Sequence, residues 1–334
     1  MPDTIRWAIL GAGRIARKFA SCLREVPDAQ LIAVGSLSAE RANALADEFG
    51  APHRHASYEA LAADPDVDVV YVCTRNPFHL DNIKLCLTAG KPVLCEKPFT
   101  LNAAEAAEAI TLARERKLFL MEAMWTRCFP ATAKLREWLA QGRIGELQLL
   151  QGDFGFRNDW KPEGRHLSVG LGGGALLDVG VYLVSFSSMV LGPPVHVAGD
   201  AHLGATGVDE SCGMVLRHAR GELSVLSAAI RTETAKQVTI FGTTGRLEVP
   251  CPFWKPNALT LTPLDGAPEH VEFPYPNFGY QFEQAEVMRC LRAGRLESDL
   301  MPLEETLSIM RTLDAIRAPW GLKYPTEKPP VGIA

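Results

Sequence analysis

The apolar positions of this 334-residue chain change their rhythm once, near residue 146. Before that point they collect into short, nearly unbroken runs at residues 5–10, 31–36, 67–73, 92–98 and 118–121. Such runs, closed by glycine, proline or serine, predict strands buried on both faces of a parallel sheet. Amphipathic stretches with helix punctuation lie between them. One follows the glycine turn after residue 10 and runs to Leu23. Ser38 caps the next, over 39–49, and Gly50 stops it. A third ends at Ala89 before Gly90, and Asn102 with Glu105 makes a capping-box start for a fourth that reaches Arg116. Strand and helix alternate throughout, so residues 1–122 predict a doubly wound α/β domain.

Beyond residue 146 apolar and polar residues alternate singly, over 146–156, 195–203, 211–217, 222–230, 236–241 and 245–249. That period belongs to half-buried strands and predicts an open, mainly antiparallel sheet. One apolar helix interrupts it, opening at Gly170-Leu-Gly-Gly-Gly-Ala-Leu-Leu-Asp178 and ending near residue 191. Two amphipathic helices, 278–292 and 302–317, close the chain, and Pro319 ends the second. Late helices of this kind return to pack on the first domain. Residues 123–334 are therefore expected to form a second domain that holds substrate and mediates assembly. An open sheet with helices on one face leaves its other face for a partner, and a homodimer is the simplest symmetric solution.

Length supports two domains, because one hydrophobic core seldom organises so long a chain. A hydrophobic fraction of 47%, a net charge of −5 and no basic run argue against nucleic acid or a membrane surface as partner. The N-terminus lacks a charged-then-apolar leader, and no stretch is expected to approach a membrane span. Eight cysteines without a Cys-x-x-Cys pair read as reduced thiols, so a cytoplasmic protein is expected. His53 and His55 flank an arginine, but two histidines alone make a poor metal site, and no metal is expected.

The chemistry begins at Gly11, Gly13 and Ala16, a G-x-G-x-x-A fingerprint between a strand and a helix. Gly11 permits the tight turn, Gly13 admits a pyrophosphate, and Ala16 lets helix and strand pack closely. Arg14 and Ile15 open that helix, whose free N–H groups face the phosphates. At the end of the second strand an NAD site usually has an acid for the ribose hydroxyl. Here Ser36, Leu37 and Ser38 stand, with Arg41 one turn later, a set that favours the 2′-phosphate of NADP over NAD. Ser38 also reads simply as a helix cap. Thr74, Arg75, Asn76 and His79 form the next strand-end loop and join the cofactor candidates. Glu96, Lys97 and Pro98 close a further strand, and Pro98 restricts Lys97 to extended geometry at the place where ligands bind. Asp178 and Tyr182, four apart, share one helix face. The same spacing also fits a buried Asp–Tyr hydrogen bond.

Together, the fingerprint, the Glu96-Lys97-Pro98 turn and the Asp178/Tyr182 pair resemble the glucose–fructose oxidoreductase/inositol dehydrogenase (Gfo/Idh/MocA) family. Met121-Glu-Ala-Met-Trp-Thr-Arg127, Gly172-Gly-Gly-Ala-Leu-Leu-Asp178 and Met301-Pro-Leu-Glu304 resemble its branch of dimeric dihydrodiol dehydrogenases and NADP-dependent D-xylose dehydrogenases. The resemblance implies a Rossmann domain, an open-sheet domain and Lys97 in the active site. It also places Tyr182 where many relatives carry histidine. Leu37 departs from the arginine of NADP-binding relatives, leaving Arg41 as its substitute, and Arg75 departs from a proline.

Oxidising an alcohol needs a hydride acceptor and a base for the hydroxyl proton. A nearby ammonium lowers a phenol's pKa. Tyr182 is accordingly expected as general acid/base, Lys97 as its electrostatic partner and Asp178 as acceptor for a substrate hydroxyl; Lys97 as proton carrier is the alternative. Trp125, Arg127, Phe154, Trp160, Trp254 and Phe278 are the candidate substrate contacts. Their aromatic faces suit a neutral cyclic polyol or aldose, although each aromatic taken singly also reads as ordinary core. The competing functions are a reductase of a sugar-derived carbonyl, and a non-catalytic dinucleotide-binding sensor, which would need the glycines but not Lys97, Asp178 and Tyr182.

Overall fold

In the computed structural model, which describes residues 4–327, the chain builds two sheets and nine α-helices among the described residues. The expected domain limits at residues 1 and 334 fall outside those residues. Through residue 123 the order is β1 (Ile5–Leu10), α1 (Arg14–Leu23), β2 (Ala29–Gly35), α2 (Ala39–Phe49), β3 (His53–His55), α3 (Tyr58–Ala62) and β4 (Val69–Val72). It continues with α4 (His79–Thr88), β5 (Val93–Glu96), α5 (Ala103–Arg116) and β6 (Leu120–Ala123). The six strands are parallel in the order β3-β2-β1-β4-β5-β6, the doubly wound arrangement of dinucleotide-binding folds. β4, β5 and β6 are buried along their whole lengths, as unbroken apolar runs require.

The second region starts with α6 (Pro130–Ala140) and β7 (Leu147–Gly155), then α7 (Val181–Leu191). β8 (His196–Leu203), β9 (Asp209–Arg217), β10 (Leu223–Ala229), β11 (Val238–Gly242), β12 (Gly245–Val249), β13 (Ala258–Pro263) and β14 (Glu269–Glu272) follow, before α8 (Gln281–Arg292) and α9 (Leu303–Arg317). The eight-stranded sheet runs β14-β13-β12-β11-β7-β10-β9-β8 and is antiparallel except between β7 and β10. β10 shows why the alternation was visible: Ser224, Leu226 and Ala228 are buried, while Leu223 and Val225 face outward.

Both late helices do contact the first domain. Gln284 Nε2 donates to Phe19 O at 2.8 Å, and Asp314 Oδ2 accepts from Ala103 N at 2.8 Å. Arg317 reaches Leu101 O at 3.1 Å.

The expectation of no span-length apolar stretch needs correction. Val169–Leu191 is a 23-residue, largely helical stretch long and apolar enough to cross a membrane, made of a 3-10 turn, a break at the glycines 172–174, a π-helical turn (Leu176–Gly180) and α7. It is instead the core helix of this fold: 83% of its most apolar window is buried, and it carries the ionised Asp178.

Candidate active site

β5 ends at Glu96, so Lys97 leaves the carboxyl edge of the parallel sheet and crosses to the helical run of the second region. Its Nζ donates to Asp178 O at 2.6 Å and to Asp178 Oδ1 at 3.3 Å. It also lies 4.6 Å from the centre of the Tyr182 ring, over the ring face. Lys97, singled out by its place at a strand end, thus meets the pair Asp178/Tyr182, with 81 positions between Lys97 and Asp178.

Asp178 is ringed by Lys97, Arg165 and His166. Arg165 Nη1 lies 3.3 Å from Oδ1 and His166 Nε2 3.5 Å from Oδ2. Burial alone would raise its carboxyl, but Lys97, Arg165 and His166 outweigh burial and hold it well below the usual carboxylate range. The turn that carries it is fixed from below: Asp209 Oδ2 accepts from Leu176 N at 2.6 Å. Gly174, at φ +123°, has no room for a side chain beside Asp209.

Tyr182 corrects one expectation. Its phenol is not made more acidic; burial first, then the nearby Glu96 carboxylate, hold its pKa well above the ordinary value. The ammonium meets the ring face and directs its hydrogens to Asp178, so it does little for the oxygen. Nor does Tyr182 bond to Asp178: its oxygen accepts from Trp125 Nε1 at 3.1 Å. The phenolic hydrogen is left to point elsewhere.

A cleft of about 460 Å³ opens at the fingerprint, lined by Ala12, Gly13, Arg14, Arg17, Glu40, Arg41 and Ala44. Gly11 sits at φ +111° with Cys73 O and Thr74 Cγ2 within 3.3 Å of any added Cβ, so only glycine makes this turn. A Cβ on Gly13 would meet nothing within 4 Å, leaving the backbone open to a ligand. No side chain caps α1, whose first N–H groups remain available to an anion. Three arginines around a glycine turn and a free helix start fit a dinucleotide with an additional phosphate.

Matches to family models are decisive here. Residues 5–124 match the model described as oxidoreductase family, NAD-binding Rossmann fold, and residues 132–248 match the GFO/IDH/MocA C-terminal domain. The chain belongs to the Gfo/Idh/MocA family. It is an NAD(P)-dependent oxidoreductase. Trans-1,2-dihydrobenzene-1,2-diol dehydrogenases of Bos taurus and Homo sapiens are both 37% identical to it, across 97% of this chain and 99% of theirs. A 3-ketoreductase from Actinomadura kijaniata, solved with NADP and TDP-benzene, superposes with a TM-score of 0.85 at 27% identity, covering 94% of this chain and 97% of that one.

Other candidates of this Gfo/Idh/MocA chain divide by position. Ser36 is buried and its Oγ accepts from Ser38 N, while Ser38 Oγ caps α2 through Arg41 N. Leu37 and Arg75 are exposed, and Ile15 packs partly on the core. Thr74 borders Gly11, and Asn76 Nδ2 ties its loop to Gly172 O at 3.1 Å. His79, expected at the cofactor, is fully buried instead: its ring nitrogens face Pro98 O and Thr74 O, bracing the Lys97 turn. Glu96 likewise turns inward to accept from the Tyr71 hydroxyl. Phe154 stacks on Trp254 at 4.0 Å and meets Tyr182 at 5.6 Å, an aromatic wall beside the phenol. Arg127, expected on substrate, is buried and bonds Ser185 and Glu305, a structural role. Trp160 is exposed beneath Arg231, and Phe278 lies beside Lys18 on α1. Sequence reasoning missed Arg165 and His166, whose only signal was an arginine and a histidine a few positions before the glycine run. It also missed Arg17, which is four residues beyond Gly13 on α1.

Proposed function

We propose that this oxidoreductase prefers NADP(H) and interconverts alcohol and carbonyl on a neutral cyclic polyol, a dihydrodiol or an aldose, with Lys97, Tyr182 and Asp178 at the reacting carbon. The observation that carries the reading is the meeting of Lys97 with Asp178 and Tyr182 at the carboxyl edge of the parallel sheet. Arg14, Arg17 and Arg41 with the Gly13 backbone would hold the phosphates, and the bound nicotinamide supplies the hydride chemistry. Tyr182 holds its proton at neutral pH and, with its lone pair engaged by Trp125, offers that proton to the substrate oxygen. Lys97 is a second donor to the same oxygen, and Asp178 fixes its ammonium while accepting from a neighbouring hydroxyl. The aromatic wall of Phe154 and Trp254 suits the apolar face of a ring.

A second reading, reduction of a sugar-derived ketone as the working direction, is favoured by that retained phenolic proton and by the likeness to a 3-ketoreductase. Exposed Val215, Leu223 and Val225 on the outer face of the second sheet support a homodimer. Eight unpaired cysteines support a cytoplasmic, reducing location. A cofactor-absorbance screen of dihydrodiols, aldoses and polyols with NADP, and of the matching carbonyls with NADPH, tests the reading. Turnover of none of these classes in either direction would reject it.

A further inference from the structure

On the outer edge of the parallel sheet, β3 carries His53 and His55. A strand turns residues two apart to the same face, so both imidazoles point one way and Arg54 the other. Arg54 pairs with Asp47 at 2.7 Å and leaves the histidine face free of its charge. The fold brings Asp64, just beyond α3, against that face. His53 Nδ1 lies 2.7 Å and His55 Nε2 2.9 Å from the same oxygen, Asp64 Oδ2. The two rings stand 87° apart and converge on it from different sides. These three donor atoms lie within 4.8 Å of one another.

We propose that His53, His55 and Asp64 form a binding site for a divalent first-row transition metal such as Zn²⁺, Co²⁺ or Ni²⁺. Two imidazoles and one carboxylate suit these ions and not Mg²⁺ or Ca²⁺, which take oxygen ligands. Ligand atoms of a tetrahedral site with bonds of 2.0–2.1 Å stand about 3.3–3.5 Å apart.

Asp64 is held ready for the task. It is 6% exposed, and its other oxygen, Oδ1, accepts from Asp66 N at 3.0 Å, which aims Oδ2 at the imidazoles. Metal at His53 Nδ1 puts the ring hydrogen on Nε2, and the Asp66 carboxylate lies on that side of the ring, its Oδ2 4.0 Å from Nε2 and beyond direct hydrogen-bond reach. A carboxylate drawn onto that nitrogen would fix the tautomer and orientation of the metal-bound histidine. Asp66 is itself held by Arg6 at 3.0 Å. His53 and His55 retain 35% and 21% side-chain exposure, so a fourth position is open to water. The site is separate from Lys97: β3 and β5 are four strand spacings apart in the sheet, roughly 19 Å.

Titrating the full-length, reduced, metal-free protein with Co²⁺ tests the proposal. Calorimetry reads the stoichiometry, and the visible absorption of cobalt in a tetrahedral site reads the geometry. One equivalent per chain is expected. Removing an outer partner of a ligand already costs about 10–100-fold in affinity, so His53→Gln and His55→Gln should each lose at least tenfold. Both positions are partly exposed and their variants should fold, which avoids dependence on the buried Asp64. Cys251→Ser, at the exposed cysteine, should bind as the parent does. Absence of one-to-one binding, binding undiminished in both histidine variants, or loss in Cys251→Ser would each overturn the assignment.

Discussion

Replacing Tyr182 with phenylalanine removes one oxygen and keeps the ring that faces Lys97 at 4.6 Å and Phe154 at 5.6 Å. Packing is therefore preserved, and two separable losses remain. The first is structural: Trp125 Nε1–H, on a side chain 7% exposed, loses the acceptor it had at 3.1 Å. A buried donor left unpaired costs about 1–3 kcal/mol. The second is chemical, because the hydrogen offered to the substrate oxygen is gone. A positioned acid–base group commonly contributes about a hundredfold to ten-thousandfold in rate, or roughly 2.7–5.4 kcal/mol of barrier at 1.36 kcal/mol per tenfold. Thermal unfolding reads the first loss, and single-turnover rates followed by cofactor absorbance read the second. Cofactor affinity should stay unchanged, since the cleft at Gly13 and Arg41 is lined by other residues. Lys97→Met should lose a similar factor, and the double variant should be little worse than either, because the two act as a unit. Burial and Glu96 hold the phenol protonated well above its ordinary range, so carbonyl reduction should stay level through neutral pH and fall only in strong alkali. A near-normal single-turnover rate in Tyr182→Phe would refute the assignment.

Arg41→Ala should weaken NADP(H) about tenfold, the loss of one charge-assisted contact, and leave NAD(H) nearly untouched; titration of both cofactors by fluorescence checks this. Val225→Asp, on the exposed face of β10, should shift the protein toward a monomer with activity retained, as read by sedimentation. Burial pushes Glu122 up to about 7. A carboxyl raised in this way stabilises the fold fully below its unfolded value and loses that contribution as pH rises through the folded one. Stability should therefore fall between roughly pH 4.5 and 7 by about 3 kcal/mol from this group, and Glu122→Gln should remove that part of the pH dependence of the melting temperature.

Features carried by neighbouring residues were legible in the chain. Gly11 and Gly13 sit between a strand and a helix, Pro98 ends β5 after Lys97, and the single alternation of β10 marks a half-buried strand. Features made by distant residues were not. Arg165 and His166 lie in a segment with no periodic pattern, and only the folded turn brings them to Asp178. β14 is only four residues and nowhere buried, too brief to show a period, whereas β13 does alternate, with Leu259 and Leu261 buried, and was overlooked. Arg127 reads from sequence like a cation beside an active-site aromatic; Ser185 and Glu305, 58 and 178 residues away, make it structural. His55 shows the converse, since its shared partner Asp64 gives meaning to a pair that looked isolated.

Charge state is the hardest of these to read, because it sums contributions from every packed element. Local reasoning placed a lysine beside a tyrosine and concluded that the phenol becomes acidic. The fold changes the sign: Lys97 gives its hydrogens to Asp178, and burial with Glu96 governs the phenol. Asp178 in turn is stabilised as a carboxylate by its cationic neighbours, which makes it a weak base. A site with two proton donors and one poorly basic carboxylate is prepared to protonate an oxygen. Oxidation over the same residues must begin by removing one of those protons, so its rate should climb with pH where the reductive rate stays level. A climbing oxidative rate beside a level reductive one, with the contrast lost in Tyr182→Phe, would tie direction to the proton on this one oxygen.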